Sequence, residues 1–408
     1  MLGALRTGEW LTHDRVRRIV VVCLIVSIAS LAFLFTTAHG TLDWKGRPIG
    51  TDYSEVYAAG RMAWDGAAAN VWDWPTHFRV QQGLHHSTSV DLYAWHYPPP
   101  FLFVAMAIAS LPYIPALIAW QGVTLIPFLL MIRRIVGRRD AWLFVLAAPV
   151  TLICVTHGHN GFLTGLLLGG GLMLLDRRPI AAGLLFGCLI YKPQFAVVIP
   201  LLLLVTLNWR AILGAAVSSL GLIALTLVMW GRDVWDAFFA SLPLTRHIII
   251  EEGRTGWYKI MSAFSAVRSW GGGIPLAYAV QAVVTVVAVG ATLWLARTAR
   301  PAVRNAAVSA AVLLSTPYVL DYDFVVLGLG IAWLWRDGEE HGFGPWQRSL
   351  LACAWIAPLF ARGIAQFTFI PLGWLSAVAV LAIAVSRHRH AAVDVDRLPG
   401  DVARLAAG

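Results

Sequence analysis

Four polar stretches that interrupt long apolar runs hold the residues with the most chemistry to offer. The first is Gly50-Thr51-Asp52-Tyr53-Ser54-Glu55-Val56-Tyr57-Ala58-Ala59-Gly60. A carboxylate at Asp52, just beyond an apolar span, can be reached by a lipid headgroup and by a water-soluble acceptor, and partial desolvation would raise its basicity. A simpler reading makes Asp52 the cap of a short helix that begins at Tyr53. The other three stretches are His157-Gly158-His159-Asn160, Tyr191-Lys192-Pro193-Gln194 and Tyr318-Val319-Leu320-Asp321-Tyr322-Asp323. Ionisable groups at span ends usually face a bundle interior or a wet cavity. Each loop taken singly could be a turn that satisfies itself, but four converging on one side read as a site. Lys192 is the anion-binding candidate, because an ammonium acts as a point charge for phosphate. Arg246, His247, Arg254 and Lys259 could supply the remaining phosphate contacts. Tyr53, Glu55, His157, His159, Asn160, Gln194, Tyr318, Asp321 and Asp323 are the expected substrate contacts.

No metal or cofactor is expected. His77, His85, His86 and His96 with Asp91 lack the ligand spacing of a zinc site. There is no glycine-rich phosphate loop and no soluble segment long enough to bind a nucleotide, so a transferred group must arrive through the membrane. No nucleic-acid partner is expected.

The elements that must position these residues are apolar. With 58% hydrophobic and only 13% charged residues, at a mean hydropathy of +0.69, the chain lies outside the range of soluble domains, which are about 25% charged. It reads as an all-α, polytopic transmembrane bundle, the default structure that satisfies its own backbone in lipid. Apolar runs fall at 19–36, 98–132, 141–156, 162–175, 179–191, 195–207, 211–230, 274–296, 305–318, 323–335, 349–361 and 368–386, which gives about twelve spans. The first, preceded by Arg15, Arg17 and Arg18, reads as a retained signal-anchor. The run 98–132 is too long for one crossing, and Pro112 and Pro115 should divide it. Gly161, Gly165 and Gly169 signal close helix packing.

With the amino terminus inside, most arginines at span ends fall on the cytoplasmic side, while Lys45, Lys192 and Lys259 fall outside. The polar segments 37–97 and 231–273 are then exterior: the first as short helices on the membrane surface, the second as a lid. One catalytic domain covers 1–386, and 387–408 reads as a frayed cytoplasmic tail. The four cysteines, Cys23, Cys154, Cys188 and Cys353, are scattered without paired spacing.

In order along the chain, Thr51-Asp52-Tyr53 with Tyr57-Ala58-Ala59-Gly60, Tyr97-Pro98-Pro99-Pro100, Gly158-His159-Asn160, Tyr191-Lys192-Pro193, and Thr316-Pro317-Tyr318 with Asp321-Tyr322-Asp323 resemble the pattern of glycosyltransferase family 87. His159 stands where that family commonly has Gln. The resemblance implies a C-type glycosyltransferase fold in the plasma (inner) membrane, with its active site at the periplasmic face. It implies transfer of a sugar, often mannose, from a polyprenyl-phosphate donor to a lipid or glycan acceptor, with inversion and with Asp52 as catalytic base. The residues agree with that chemistry, since polyprenyl phosphate leaves readily and needs cations more than a proton, so one base suffices. A glycosidase would need a paired acid and base. The rival readings are a transporter or flippase of lipid-linked sugars and a non-enzymatic assembly protein. A transporter should carry its ionisable groups near the bilayer midplane between repeated halves.

Overall fold

The computed structural model describes residues 2–396. It is 78% helix and contains no strand among the described residues, as expected of an all-α chain. Among the described residues, five helices are long and apolar enough to cross a membrane: His13–Thr36, Tyr113–Val136, Trp209–Trp230, Ile274–Thr298 and Gln347–Thr368. Their lipid-compatible surface is plain in the exposure of Val228 (86%) and Phe367 (79%), and in the first of these helices, where only Val20 is buried.

Every expected apolar run is helical, and several are broken in two. The run 98–132 divides into Leu102–Ala109 and Tyr113–Val136 around Pro112, as the prolines predicted. The run 141–156 divides at Pro149, and 195–207 is jointed between Pro193–Ala196 and Val198–Val205. Pro301–Leu314 forms the core. Every residue from Val303 to Leu314 is buried, so the helix is enclosed on all sides, and its alanines let Val325–His341 and Leu372–Asp396 approach closely. The glycine stripe packs as predicted: a side chain at Gly165 would meet the Phe128 ring at 2.7 Å, and one at Gly169 would meet Met131 at 2.8 Å.

Two expectations change in detail. Thr51–Trp64 does not lie on a surface with one face wet, because all residues from Tyr53 to Gly60 are buried. The small residues Ala58, Ala59 and Gly60 allow this, letting the helix wedge against Leu102–Ala109. At its other end, the bundle does not stop at 386. The last helix runs to Asp396, and Arg387 is buried with Nε on Asp337 and Nη1 on Gln347 at 2.7 Å. Residues 397–408 of the expected tail lie outside the described residues.

A side chain at Gly60 would place its Cβ 2.0 Å from the Ala105 carbonyl oxygen, which is backbone and cannot yield cheaply. Gly60→Val should therefore destabilise the fold by about 1–3 kcal/mol or more. Gly122→Ala, whose Cβ meets nothing within 4 Å, is the matched control. Thermal melting in detergent measures both, and a Gly60→Val melt equal to the wild-type one would contradict the wedge.

Candidate active site

Asp52 is set in place by the start of its helix. Gly50 adopts the left-handed conformation (φ 71°) that turns the chain into Thr51–Trp64, and it makes no side-chain cap. Asp52 is thus in the first helical turn, not the capping residue, and the helix dipole favours its negative charge. Around it, Tyr53 O–H donates to the Tyr113 carbonyl at 3.3 Å, and Tyr113 O–H donates to the Ile49 carbonyl at 3.0 Å. Ser54 Oγ and His85 Nε2 are 2.8 Å apart, and His85 Nδ1 is 2.8 Å from Thr41 Oγ1. The helix is clamped on several sides, while the half-buried Asp52 carboxylate has no hydrogen-bond or ion-pair partner among the described residues.

One turn further, Glu55 is buried at 8% exposure. Burial, reinforced by the Asp52 charge and opposed by Lys192, holds its carboxyl well above the usual carboxylate range. Asp52 and Lys192 therefore each lie within electrostatic reach of Glu55.

Lys192 sits at a joint. Pro193 cannot continue the preceding helix, and Lys192 takes an extended-side conformation (φ −129°, ψ 70°) before it. Its ammonium donates to Asp323 Oδ1 at 2.6 Å, with both side chains at most 5% exposed. Asp323 Oδ2 accepts from the Leu320 backbone N–H at 3.0 Å, so both carboxylate oxygens are satisfied. Asp321 is bound by Arg362 at 2.6 Å, a residue the sequence reading did not single out. Its only signal was a lone cation at the end of an apolar run.

The third loop joins the same cluster. His159 Nε2 is 3.0 Å from Tyr97 O–H, and the imidazole stacks on Tyr322 at 3.5 Å between centroids. The loop is seated by Gln121 and Trp120, which donate to the carbonyls of His159 and Gly158 at 3.2 and 3.1 Å. Gly158 is required where it is (φ +61°), since a Cβ there would lie 2.5 Å from that of Tyr53. Asn160 is 2% exposed, with both side-chain amide atoms unpartnered among the described residues. Tyr318 lies within reach of the charges on Asp52, Glu55 and Asp323. Tyr191, missed as a site residue, bonds Thr164 at 2.6 Å and stacks on Phe101 at 4.7 Å.

Of the remaining candidates, His157 lies at the edge of the cluster, its ring centroid 5.8 Å from that of Tyr322, and the others stand apart. His157 bonds the Ile153 carbonyl at 2.8 Å within its own helix, and Gln194 is half-buried on the short helix after Lys192. In the second polar segment, Arg246 pairs with Glu251 at 3.3 Å and Arg254 with Glu252 at 2.8 Å; His247 lies between the same two carboxylates. Lys259 rests over Tyr258 at 5.7 Å. The structure does not bond these four to Lys192. The segment nevertheless docks on the site loop, where Met261 N–H donates to the Val319 carbonyl at 2.7 Å, and on the first segment, where Thr245 Oγ1 is 3.2 Å from His96 Nδ1.

A helical bundle that gathers unpaired and ion-paired carboxylates into one protein-lined cluster at its helix joints fits an integral-membrane enzyme. The profile of glycosyltransferase family 87 matches residues 95–320, more than half of the chain, and the chain belongs to that family. It is accordingly a membrane glycosyltransferase. The matched segment contains Tyr97, His159, Asn160, Lys192 and Tyr318, whereas Asp52 lies upstream of it. No curated protein and no solved structure matches the chain.

Two outcomes test this geometry. Lys192→Met alone leaves Asp323 charged and buried, and should cost about 3–5 kcal/mol of stability. Pairing it with Asp323→Leu should restore most of the loss; no recovery in the double variant would show that the pair is not coupled as drawn. Glu55 gives a pH test. Its folded value is raised, so its contribution is fully present below the unfolded value of about 4.3 and is lost as pH rises through the folded value. The melting temperature of Glu55→Gln relative to wild type should thus increase from pH 5 to pH 8. The difference cancels His85, whose value burial lowers to about 4 in both proteins.

Proposed function

We propose that this chain is an inverting glycosyltransferase of the C-type architecture, spanning the plasma membrane about twelve times with both termini inside. Its donor is a sugar, mannose in the first instance, linked to polyprenyl phosphate, and its acceptor is a hydroxyl of a lipid or glycan at the periplasmic face. The observation that carries this reading is a half-buried carboxylate, Asp52, without a partner among the described residues, whose charge acts on Glu55 as does that of the buried Lys192 ammonium.

In the proposed step, Asp52 accepts the proton of the acceptor hydroxyl. The acceptor oxygen bonds the anomeric carbon on the face opposite the phosphate. The anomeric carbon–oxygen bond breaks, and its electron pair leaves on the polyprenyl phosphate. That phosphate needs cations and no proton. Lys192 spends one of its three N–H groups on Asp323 and keeps two for the leaving oxygen. Arg362, partly exposed beside Asp321, is a second cation at the same joint. Asn160, with an unpartnered amide, and Tyr318 would orient the sugar by its hydroxyls. Arg246, His247, Arg254 and Lys259 of the overlying segment, already paired or stacked locally, would steer the phosphate inward.

Purified protein in liposomes containing polyprenyl-phosphate mannose and a membrane lipid extract provides the test. Asp52→Asn should lower sugar transfer by about 10²- to 10⁴-fold, the usual contribution of a positioned base, while donor binding stays nearly intact. Transfer at the wild-type rate by Asp52→Asn would place the base elsewhere.

A further inference from the structure

A cavity away from Asp52, although its wall reaches Phe324 beside Asp323, has no assigned part in the proposed reaction. It is an apolar groove of about 700 Å³, within the usual range of ligand cavities, between the four helices His13–Thr36, Tyr113–Val136, Val325–His341 and Gln347–Thr368, with the short helix Ala141–Ala147 along one side. Phe128, Ile132, Val145, Leu327, Leu351 and Trp355 line its walls. Arg17, Arg138 and Arg348 stand along it at one end. Arg138 is also shared with a neighbouring pocket of about 400 Å³, lined by Arg133, Arg134 and Arg139 as well. Of these six arginines, Arg138 is paired with Asp140 and Glu339. The other five have no carboxylate partner among the described residues, and Arg348 only covers the Phe343 ring at 4.6 Å. Arg133 and Arg134 lie in the last turn of Tyr113–Val136, and all of Arg133, Arg134, Arg138 and Arg139 are exposed.

We infer that this groove and arginine cluster form a site for an anionic phospholipid of the surrounding membrane, the acyl chain in the groove and the phosphate head on Arg133, Arg134 and Arg139. Charge and shape agree, since apolar walls that open onto uncompensated guanidinium groups complement a lipid that is apolar along its chain and negative at its head. Position distinguishes this lipid from a sugar donor. Tyr113 packs in the cluster beneath Asp52, whereas the arginines follow the far end of the same 24-residue helix, about 36 Å away. A head held there cannot react at Asp52, so the occupant is a resident lipid that fills the seam between four helices.

Native mass spectrometry of the full chain, titrated with phosphatidylglycerol or with phosphatidylcholine of the same chains, tests the inference. Phosphatidylglycerol should bind preferentially, and its affinity should fall roughly fivefold for each of Arg133→Gln, Arg134→Gln and Arg139→Gln. Gly328→Leu should abolish that binding with an unchanged helical circular-dichroism spectrum, because its side chain enters the groove where a Cβ meets nothing within 4 Å. Equal binding of the two lipids, indifference to the arginine substitutions, or displacement of phosphatidylglycerol by polyprenyl phosphate would each overturn the site. Sugar transfer by Asp52→Asn reads the proposed reaction separately.

Discussion

The contact on which the site depends is the ion pair between Lys192 and Asp323, closed at 2.6 Å and almost wholly removed from solvent. Such a pair offsets its desolvation only when its geometry is good and its remaining valences are used. Here the second Asp323 oxygen takes the Leu320 N–H, which fixes the turn that carries Tyr322. Tyr322 in turn provides the plane on which His159 stacks, and His159 holds the Tyr97 hydroxyl. One electrostatic contact therefore sets the register of three chain breaks and of Tyr97, which precedes the Pro99–Phe101 turn.

Those breaks occur where the chain chemistry imposes them. Pro193 ends one helix, Gly158 in its left-handed conformation ends another, and Pro317 follows the end of Pro301–Leu314. Irregular backbone at membrane depth is tolerated only where protein or a wet cavity satisfies it. The same places are thus the ones where polar side chains can gather. The other ends of the helices are closed differently. Buried Asp337 collects Arg387 and Arg300, and Arg304 is bidentate on Asp176 at 2.9 and 2.8 Å. These charges are consumed in joining helix to helix.

Much of this was legible in the sequence, because apolar length, proline and lone charges are local signals. The helices, the division at Pro112, the glycine stripe and the loops carrying Lys192, His159 and Asp323 all follow from them. Pairing is not local. Lys192 and Asp323 are 131 residues apart, and nothing in either loop names the other as its partner. Arg362 was missed because a single arginine at a span end is also what membrane topology produces. The four cations of 231–273 looked available because Glu251 and Glu252 were not weighed against them. The burial of Thr51–Trp64 depended on a neighbour, Ala105, small enough to admit Gly60.

Four carboxylates meet at the candidate site, and their surroundings separate them more sharply than their spacing does. Asp321 is tied to Arg362 and Asp323 to Lys192, so protonating either would break an ion pair. Glu55 is buried, and its carboxyl is held in the neutral form's favour by burial and by the Asp52 charge. Asp52 alone is partly open, unpartnered among the described residues and favoured as an anion by its helix dipole. The proton-accepting role in the proposed transfer therefore falls to Asp52, through the environment of its neighbours as much as through its own position.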